Sequence, residues 1–171
     1  MRLNRGSGSK SRLRNVLAGV ALFAAVGAAS RARAQDAKDL VATLQASDNY
    51  KTFAKLLGEA NLTSTLQGSA AFTVFAPTDA AFSKMPAGEL EKLEKDTVAL
   101  KKLLMFHIAN GALPANKVLN LRNARTLGGS KVNFSVRDAR LRVEDVVIVQ
   151  PDIKASNGLI HGIESVMTPP K

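Results

Sequence analysis

The chain has 171 residues and a formal net charge of +10, but the charge is unevenly spread. Seven basic residues and no acidic residue lie within residues 1–34, whereas the other 137 residues hold 17 basic and 14 acidic residues, a net charge of +3. That balance argues against binding to the phosphate backbone of nucleic acid, which needs a dense cationic face. The absence of cysteine excludes disulfides, thiolate metal sites and a cysteine nucleophile.

Residues 1–34 have the three parts of a cleavable signal peptide. A basic start precedes an uncharged apolar run, Val16–Ala29, and Ala32-Arg33-Ala34 supplies small residues for cleavage before Gln35. As a helix, the run would span about 21 Å, which is short of the hydrocarbon core of a membrane, about 30 Å thick. We therefore predict an exported bacterial protein, secreted or periplasmic, whose mature part is one domain over residues 35–171 without a membrane span.

The first half of the mature chain has the apolar spacing of helices. Leu40, Val41 and Leu44 predict a helix over Asp36–Ala46, and a second helix is expected to begin at an N-cap on Asn49.

The pattern changes where aromatic and β-branched residues predict a buried strand over Ala71–Ala76. Pro77 is expected to end this strand, and Thr78 or Asp79 to cap a short helix that runs through Ser83. Two more helices are predicted to follow, over Ala87–Lys95 and from a cap at Asp96 onward.

The second half is rich in short β-prone runs separated by turn residues. The predicted strands are Arg125–Leu127, Lys131–Val136, Arg140–Val143, Val146–Gln150, Ile153–Ala155 and Leu159–Met167. Asn157-Gly158 is the strongest turn signal and predicts a type I′ hairpin, with positive φ at both residues. Helices followed by a meander of strands predict an α+β fold.

Three segments carry a resemblance to one family. Phe72-Thr-Val-Phe-Ala-Pro-Thr-Asp-Ala-Ala-Phe82 resembles the first signature box of fasciclin-like (FAS1) domains, and Asn157-Gly-Leu-Ile-His-Gly-Ile-Glu-Ser-Val-Met-Thr-Pro169 resembles the second. Between them, Leu104-Met-Phe-His-Ile-Ala-Asn-Gly111 is similar to the central Tyr-His segment of the family. The resemblance implies a wedge of β-strands flanked by helices, a role in adhesion or in envelope and matrix contact, no enzyme activity and no cofactor. The overall form is similar to small secreted bacterial proteins with a single fasciclin domain.

The resemblance also implies two candidate binding segments. In animal members of the family, receptor recognition is linked to an Asp-Ile pair, which Asp152-Ile153 matches, and to the Tyr-His region, which Phe106-His107 matches with the tyrosine replaced. An exposed carboxylate beside an aliphatic residue can ligate a receptor-bound cation. The alternative is structural, with Asp152 starting a strand after Pro151 and Ile153 packing inward.

The remaining motif residues are interpreted as structural. Asp79 is expected to be a cap or a buried hydrogen-bond partner, and both His107 and His161 lie in apolar stretches that favour core histidines. A triad of these histidines with Asp79 and Ser83 lacks a Gly-x-Ser-x-Gly elbow, and the histidine spacing does not suggest zinc. We therefore predict no catalytic residue and no metal site. The structural motif set is Thr78, Asp79, His107, Asn157, Gly158 and His161.

A modest basic cluster leaves two interpretations open: a solvated face of strands, or a surface for a polyanion such as an acidic glycan or anionic lipid. Its members are Arg122, Arg125, Lys131, Arg137, Arg140 and Arg142.

Taken together, the sequence predicts a monomeric adhesion or interaction module that binds a cell-surface or matrix protein or glycan, and not nucleic acid. The first alternative is a soluble carrier of a small apolar or glycan ligand held between the wedge and its helices, which predicts a deep apolar pocket. The second alternative is a hydrolase, which predicts that His107, His161 and a hydroxyl converge in one open cleft.

Overall fold

The computed structural model of the chain describes residues 38–68, 70–86 and 88–169. The predicted signal peptide over residues 1–34 lies outside these ranges. Within them, helices fill most of the first half and strands most of the second, as the sequence predicts. In chain order the elements are α1 (Leu40–Ala46), α2 (Lys51–Glu59), α3 (Thr63–Leu66), β1 (Phe72–Pro77), α4 (Asp79–Ser83), α5 (Glu89–Lys95), α6 (Thr97–Phe106), β2 (Ile108–Asn110), α7 (Ala115–Val118), β3 (Asn123–Arg125), β4 (Lys131–Arg137), β5 (Arg140–Val143), β6 (Val146–Ala155) and β7 (Gly158–Ile163).

The strands of the described residues form one sheet in the order β2-β1-β7-β6-β5-β4-β3. Neighbouring strands are antiparallel except for β1 and β7, which run parallel. The sheet curls until its two edges meet. A bridge joins Ala109 of β2 to Thr126, just after β3, and the Leu127 N–H donates to the Ile108 carbonyl at 2.7 Å. The predicted α+β wedge is confirmed, and its sheet has a barrel-like form.

Strand β1 separates two apolar clusters, and all six of its residues are buried. On the helix side, Val74 belongs to a cluster that includes Phe53 of α2 and Leu104 of α6. Inside the curled sheet, Phe75 belongs to a second cluster that includes Phe106. Because both faces of β1 are covered, the strand is buried throughout, and its one polar side chain, Thr73, is hydrogen-bonded to backbone groups. The predicted buried strand is confirmed with its bounds shifted by one residue, since Ala71 is exposed and Pro77 is the last residue of β1.

The strand bounds of the second half differ from the prediction. Val146–Gln150 and Ile153–Ala155, predicted as two strands, form the single strand β6, whose register with β7 shifts on both sides of Gln150. The strand predicted to reach Met167 ends at Ile163, and further along the segment the Met167 N–H donates to a histidine ring. The short elements α3, β2 and α7 were not predicted, since three or four residues are too few to show a periodicity.

The N-terminus of α2 is capped by a residue distant in sequence. Asn49, the predicted cap, lies one residue too early, because Tyr50 holds the N-cap position and makes no side-chain hydrogen bond there. The Asp79 carboxylate instead accepts from the Thr52 N–H at 2.9 Å, while the Asp79 N–H donates to the Asn49 carbonyl at 2.8 Å. Of the two candidate caps for α4, Thr78 takes that role. Asp79 therefore connects the start of α4 to the start of α2 through two hydrogen bonds.

The predicted turn type at Asn157-Gly158 is wrong. Strands β6 and β7 do form a hairpin, but its turn residues are Ser156 and Asn157, and neither Asn157 nor Gly158 has positive φ. The pairs with positive φ at both central residues lie in the next two hairpins of the sheet, at Asp138-Ala139 and Glu144-Asp145.

Asn157 and Gly158 serve the packing between the sheet and the helices instead. The Asn157 amide oxygen accepts from the Leu40 N–H at 2.9 Å, and its NH₂ group donates to the Leu66 carbonyl. A Cβ at Gly158 would lie 2.0 Å from the Phe72 carbonyl oxygen, so this position has no room for a side chain. The residue pair is therefore needed to bring α1, α3 and β1 together.

Replacing Phe75 with alanine tests the central position of β1. Phe75 is fully buried and stacks on the His161 ring with centroids 5.6 Å apart. We expect Phe75→Ala to lower the free energy of unfolding by about 3–5 kcal/mol, measured by denaturant titration. Ala124→Gly, at a half-buried position of β3, is a control for a mild truncation at the edge of the same cluster. Equal midpoints for Phe75→Ala and the native protein would contradict this packing.

Replacing Asp79 tests the cap that joins α4 to α2. We expect Asp79→Ala to lower the free energy of unfolding by about 1–2 kcal/mol, because the Thr52 N–H loses its acceptor. Asp79→Asn keeps a side-chain oxygen at the same place and should lose less than half as much. The same loss for both variants would show that the charge of Asp79, and not the hydrogen bond, stabilises this junction.

Candidate functional site

His107 lies at the end of α6 and is completely buried. The Met167 N–H donates to Nε2 at 2.9 Å, so Nε2 is an acceptor and Nδ1 carries the proton. Nδ1–H in turn donates to the Leu103 carbonyl at 2.9 Å. Burial lowers the pKa of His107 from 6.5 to about 4, partly offset by the bond to Leu103. The ring is therefore neutral at physiological pH and joins α6 to the C-terminal segment.

His161 lies on β7 and is equally buried. The Asp152 N–H donates to Nδ1 at 3.2 Å, which leaves Nε2–H to donate to the Leu113 carbonyl at 2.7 Å. Burial lowers the pKa of His161, against the opposing effects of the Leu113 bond and the Asp152 charge. This ring therefore joins β7 to the loop before α7 and to the middle of β6.

The positions of these two rings bear directly on the hydrolase alternative. A triad needs a histidine nitrogen within reach of a hydroxyl. All four ring nitrogens of His107 and His161 are engaged with backbone groups instead, and both rings lie in the core and not in an open cleft. The arrangement expected of a hydrolase is not what the structure shows at these residues.

Asp152 occupies an irregular position within β6, with the left-handed φ of 58°. Asp152 is exposed, and one of its carboxylate oxygens accepts a hydrogen bond from the Ala115 N–H of α7 at 2.9 Å. Its own N–H donates to His161. A left-handed Asp is tolerated by sterics but uncommon, and here two hydrogen bonds hold it. The structure therefore presents a carboxylate at a fixed place on the surface.

The other three candidate binding residues lie deeper. Ile153 is half-buried, pairs with Ile160 and packs against the helix-side cluster. Phe106 is 2% exposed and His107 is 0% exposed, so neither side chain reaches the surface of the folded domain. The structure thus brings Asp152 and part of Ile153 to the surface, and it places the Phe106-His107 segment beneath it.

The basic cluster is divided by the sheet register. Arg125 and Lys131 are partners across β3 and β4, and Arg137 and Arg140 are partners across β4 and β5. Strand alternation places Arg142 on the same face, where its guanidinium donates to a backbone carbonyl of the β5–β6 turn at 2.9 Å. These five residues form one outer face of the sheet, which we call the basic face. Arg122 is excluded from it, because this residue precedes β3 and lines a groove with residues of the opposite face.

A cavity that no sequence motif indicated lies between α4, α5, α6 and the segment that follows β7. Its volume is about 440 Å³. The walls are mostly apolar, and two lysines and one glutamate also line it: Ala81, Lys84, Met85, Pro86, Glu89, Leu93, Ala99, Lys102, Leu103, Ser165, Val166, Thr168 and Pro169. One sequence signal was available. The i, i+3 spacing of Leu90 and Leu93 places both on one side of α5, and there they are only partly buried against the core. The apolar side of α5 is therefore incompletely covered by protein.

Among the described residues, no helix combines the length and apolar character that crossing a membrane requires. The same residues contain no group of three or more His, Cys, Asp or Glu side chains arranged to hold a metal ion.

The buried histidines predict how stability depends on pH. Between pH 6.5 and about 4, an unfolded chain binds a proton at residue 107 that the folded chain does not, so the free energy of unfolding falls as the pH falls. We expect His107 to account for a loss of about 3 kcal/mol across this window, and His161 to act in the same direction. Denaturant titrations at pH 7.5 and pH 4.5 measure the change. The variant His107→Gln, less stable overall, should show a shallower pH dependence; an unchanged slope would refute the assignment.

Comparison with known proteins is consistent with these features. The model of the fasciclin domain matches residues 48–169. Protein sll1483 of Synechocystis is 33% identical over 143 residues, which cover 82% of this chain and 79% of that protein. Immunogenic protein MPB70 of Mycobacterium bovis is 34% identical over 112 residues, 66% of this chain and 56% of that protein.

Among solved structures, a FAS1 domain pair from the insect cell adhesion molecule Fasciclin I superposes with a TM-score of 0.64 at 17% identity, over 77% of this chain and 51% of that one. At this identity the likeness concerns the fold alone. The family match, the two sequence relatives and the shared fold agree with the three motif segments. The chain belongs to the fasciclin domain family.

Proposed function

We propose that this protein is exported by the signal peptide over residues 1–34 and acts outside the cytoplasm as an adhesion or interaction module. Its partner would be a protein or glycan of a cell surface or matrix. Family membership supports the proposal, as does the description of Fasciclin I as a cell adhesion molecule. The proposal assigns no catalytic residue, since the histidines that would serve a triad are used to bind backbone groups.

The observation that carries the proposal is the geometry of Asp152. A left-handed residue inside a strand departs from regular geometry, and such departures cluster at functional sites. The His161 ring fixes the backbone of Asp152 from within the core, and α7 fixes one carboxylate oxygen from the side. In the described residues, no hydrogen bond engages the second oxygen. A rigid carboxylate with an oxygen left over is suited to bind a cation or an N–H donor on a partner, because little entropy is lost on binding.

The experiment compares binding of the protein to intact cells and to immobilised matrix material, with and without a chelator of divalent cations. Asp152→Asn is the informative variant, because asparagine tolerates left-handed φ and keeps an oxygen for the Ala115 N–H while it removes the charge. We expect Asp152→Asn to weaken binding by at least about tenfold, with an unchanged melting temperature. Asp138→Asn, another exposed left-handed aspartate, is the matched control and should bind normally.

Other outcomes would redirect or reject the proposal. Binding that Asp152→Asn retains, but that high salt and the double variant Arg137→Gln/Arg140→Gln abolish, would assign recognition to the basic face and a polyanionic partner. Failure to bind any cell or matrix surface would reject the adhesion role. Sequencing the N-terminus of the protein recovered from the culture tests export separately, since cleavage of the signal peptide before Gln35 is expected.

A further inference from the structure

The cavity between α5, α6 and the C-terminal segment has the properties of a small-molecule site. Its volume of about 440 Å³ lies within the range of about 300–1,000 Å³ found for ligand pockets. Its walls come from three helices and from residues 165–169, which lie far apart in sequence. A concave site built by several converging elements is typical of ligand binding. The cavity is separate from the Asp152 region, because Asp152 and its hydrogen-bond partners are not among the residues that line the cavity.

The walls of the cavity favour an apolar ligand body. Leu93 of α5, Ala99 of α6 and Val166 line it and are only half-buried, although Leu103 beside them is 8% exposed. Leaving such apolar surface in contact with water is unfavourable. A ligand with an apolar chain would cover this surface and complete the burial that α5 lacks.

The charged residues of the cavity favour an anionic head group. Lys84, the residue after α4, and Lys102 of α6 are exposed and line the cavity, against the single carboxylate of Glu89. Lys84 is positioned beside the C-terminal segment, since its ammonium group lies 3.5 Å from the Glu164 carbonyl. The hydroxyls of Ser165 and Thr168 add polar groups to the same lining. The excess of positive charge complements a carboxylate and disfavours a cationic head group.

The C-terminal wall is held in place before any ligand arrives. Met167 is 1% exposed, and its N–H bond to the His107 ring fixes the segment that carries Val166 and Thr168 into the lining. A site whose walls are already ordered loses little conformational entropy when it binds.

We propose that this cavity binds an amphipathic carboxylate of the fatty-acid class, with its apolar chain against α5 and α6 and its head group at Lys84 and Lys102. This site is independent of the proposed adhesion role, because neither its walls nor its charges involve Asp152 or the basic face.

Isothermal titration calorimetry tests the site. The full protein, purified from the cells that express it, is titrated with dodecanoate below its critical micellar concentration. Dodecan-1-ol and dodecyltrimethylammonium have the same chain and test the head group. We expect one dodecanoate to bind per chain, dodecanol to bind more weakly and the cation most weakly. Lys84→Gln/Lys102→Gln should weaken dodecanoate binding by about five- to tenfold. Lys101→Gln, an exposed neighbour on α6 that does not line the cavity, should leave it unchanged.

Filling the cavity tests its location. Ala99→Phe should abolish dodecanoate binding while the circular dichroism spectrum and melting temperature stay close to those of the native protein. If this variant does not fold, NMR shifts of the native protein answer the same question, because dodecanoate should perturb the methyl groups of Leu93, Ala99 and Val166. Perturbation elsewhere, equal affinity for dodecanoate and dodecanol, or no binding would each overturn the proposal. Binding only to phosphatidylglycerol vesicles, and not to free dodecanoate, would also overturn it. The variant Ala99→Phe should still bind cells as the native protein does, so a loss of dodecanoate binding would concern the cavity and not the proposed adhesion role.

Discussion

Two uncharged histidine rings, His107 and His161, hold together the segments that the regular elements of this domain leave unpaired. Each ring accepts from one backbone N–H and donates to one backbone carbonyl. A buried polar group destabilises a fold unless it is hydrogen-bonded, and here all four nitrogens are satisfied. The rings join the end of α6 to the C-terminal segment, and β7 to the loop before α7 and the middle of β6. Their neutrality is part of this role, because a protonated ring would lose its ability to accept.

The two rings lie on either side of β1. His107 packs near Phe53 on the helix side, with centroids 6.0 Å apart, and His161 stacks on Phe75 inside the curled sheet. Gly162 of β7, next to His161, permits the close approach of Tyr50: a Cβ there would lie 2.0 Å from the Tyr50 hydroxyl, which donates to the Gln150 side chain. The second signature box therefore combines an amide that binds helix ends, two positions without room for a side chain and a bonded core histidine.

Both surface features argued to bind other molecules depend on this interior. Asp152 keeps its left-handed backbone because His161 accepts from its N–H, and the cavity keeps its C-terminal wall because His107 accepts from the N–H of Met167. The family motifs are thus mainly structural in their direct contacts, while they determine the geometry of exposed residues nearby.

Residue patterns alone were sufficient for the elements whose neighbours in sequence decide their structure. Apolar spacing predicted α1, α2 and α6, the run around Phe72 predicted β1, and the capping role of Asp96 follows from its position before Thr97. The family motifs predicted the α+β wedge, and the apolar flanks of both histidines predicted their burial. Helical periodicity, β-propensity and caps act over a few residues, so they can be read along the chain.

The features that join distant residues could be seen only in the three-dimensional structure. Asp79 caps α2 by accepting from Thr52, which lies 27 positions earlier in the chain. Asn157 forms hydrogen bonds with α1 and α3. Local turn and capping rules predict neither of these long-range contacts. The single strand β6 depends on its pairing with β7, and the cavity depends on where residues 165–169 return beside α5 and α6. The local elements and the family could be read from the order of residues, because those depend on short-range propensities and motifs. The exposed carboxylate of Asp152 and the apolar cavity required the tertiary structure, because each is formed by segments that lie far apart in sequence.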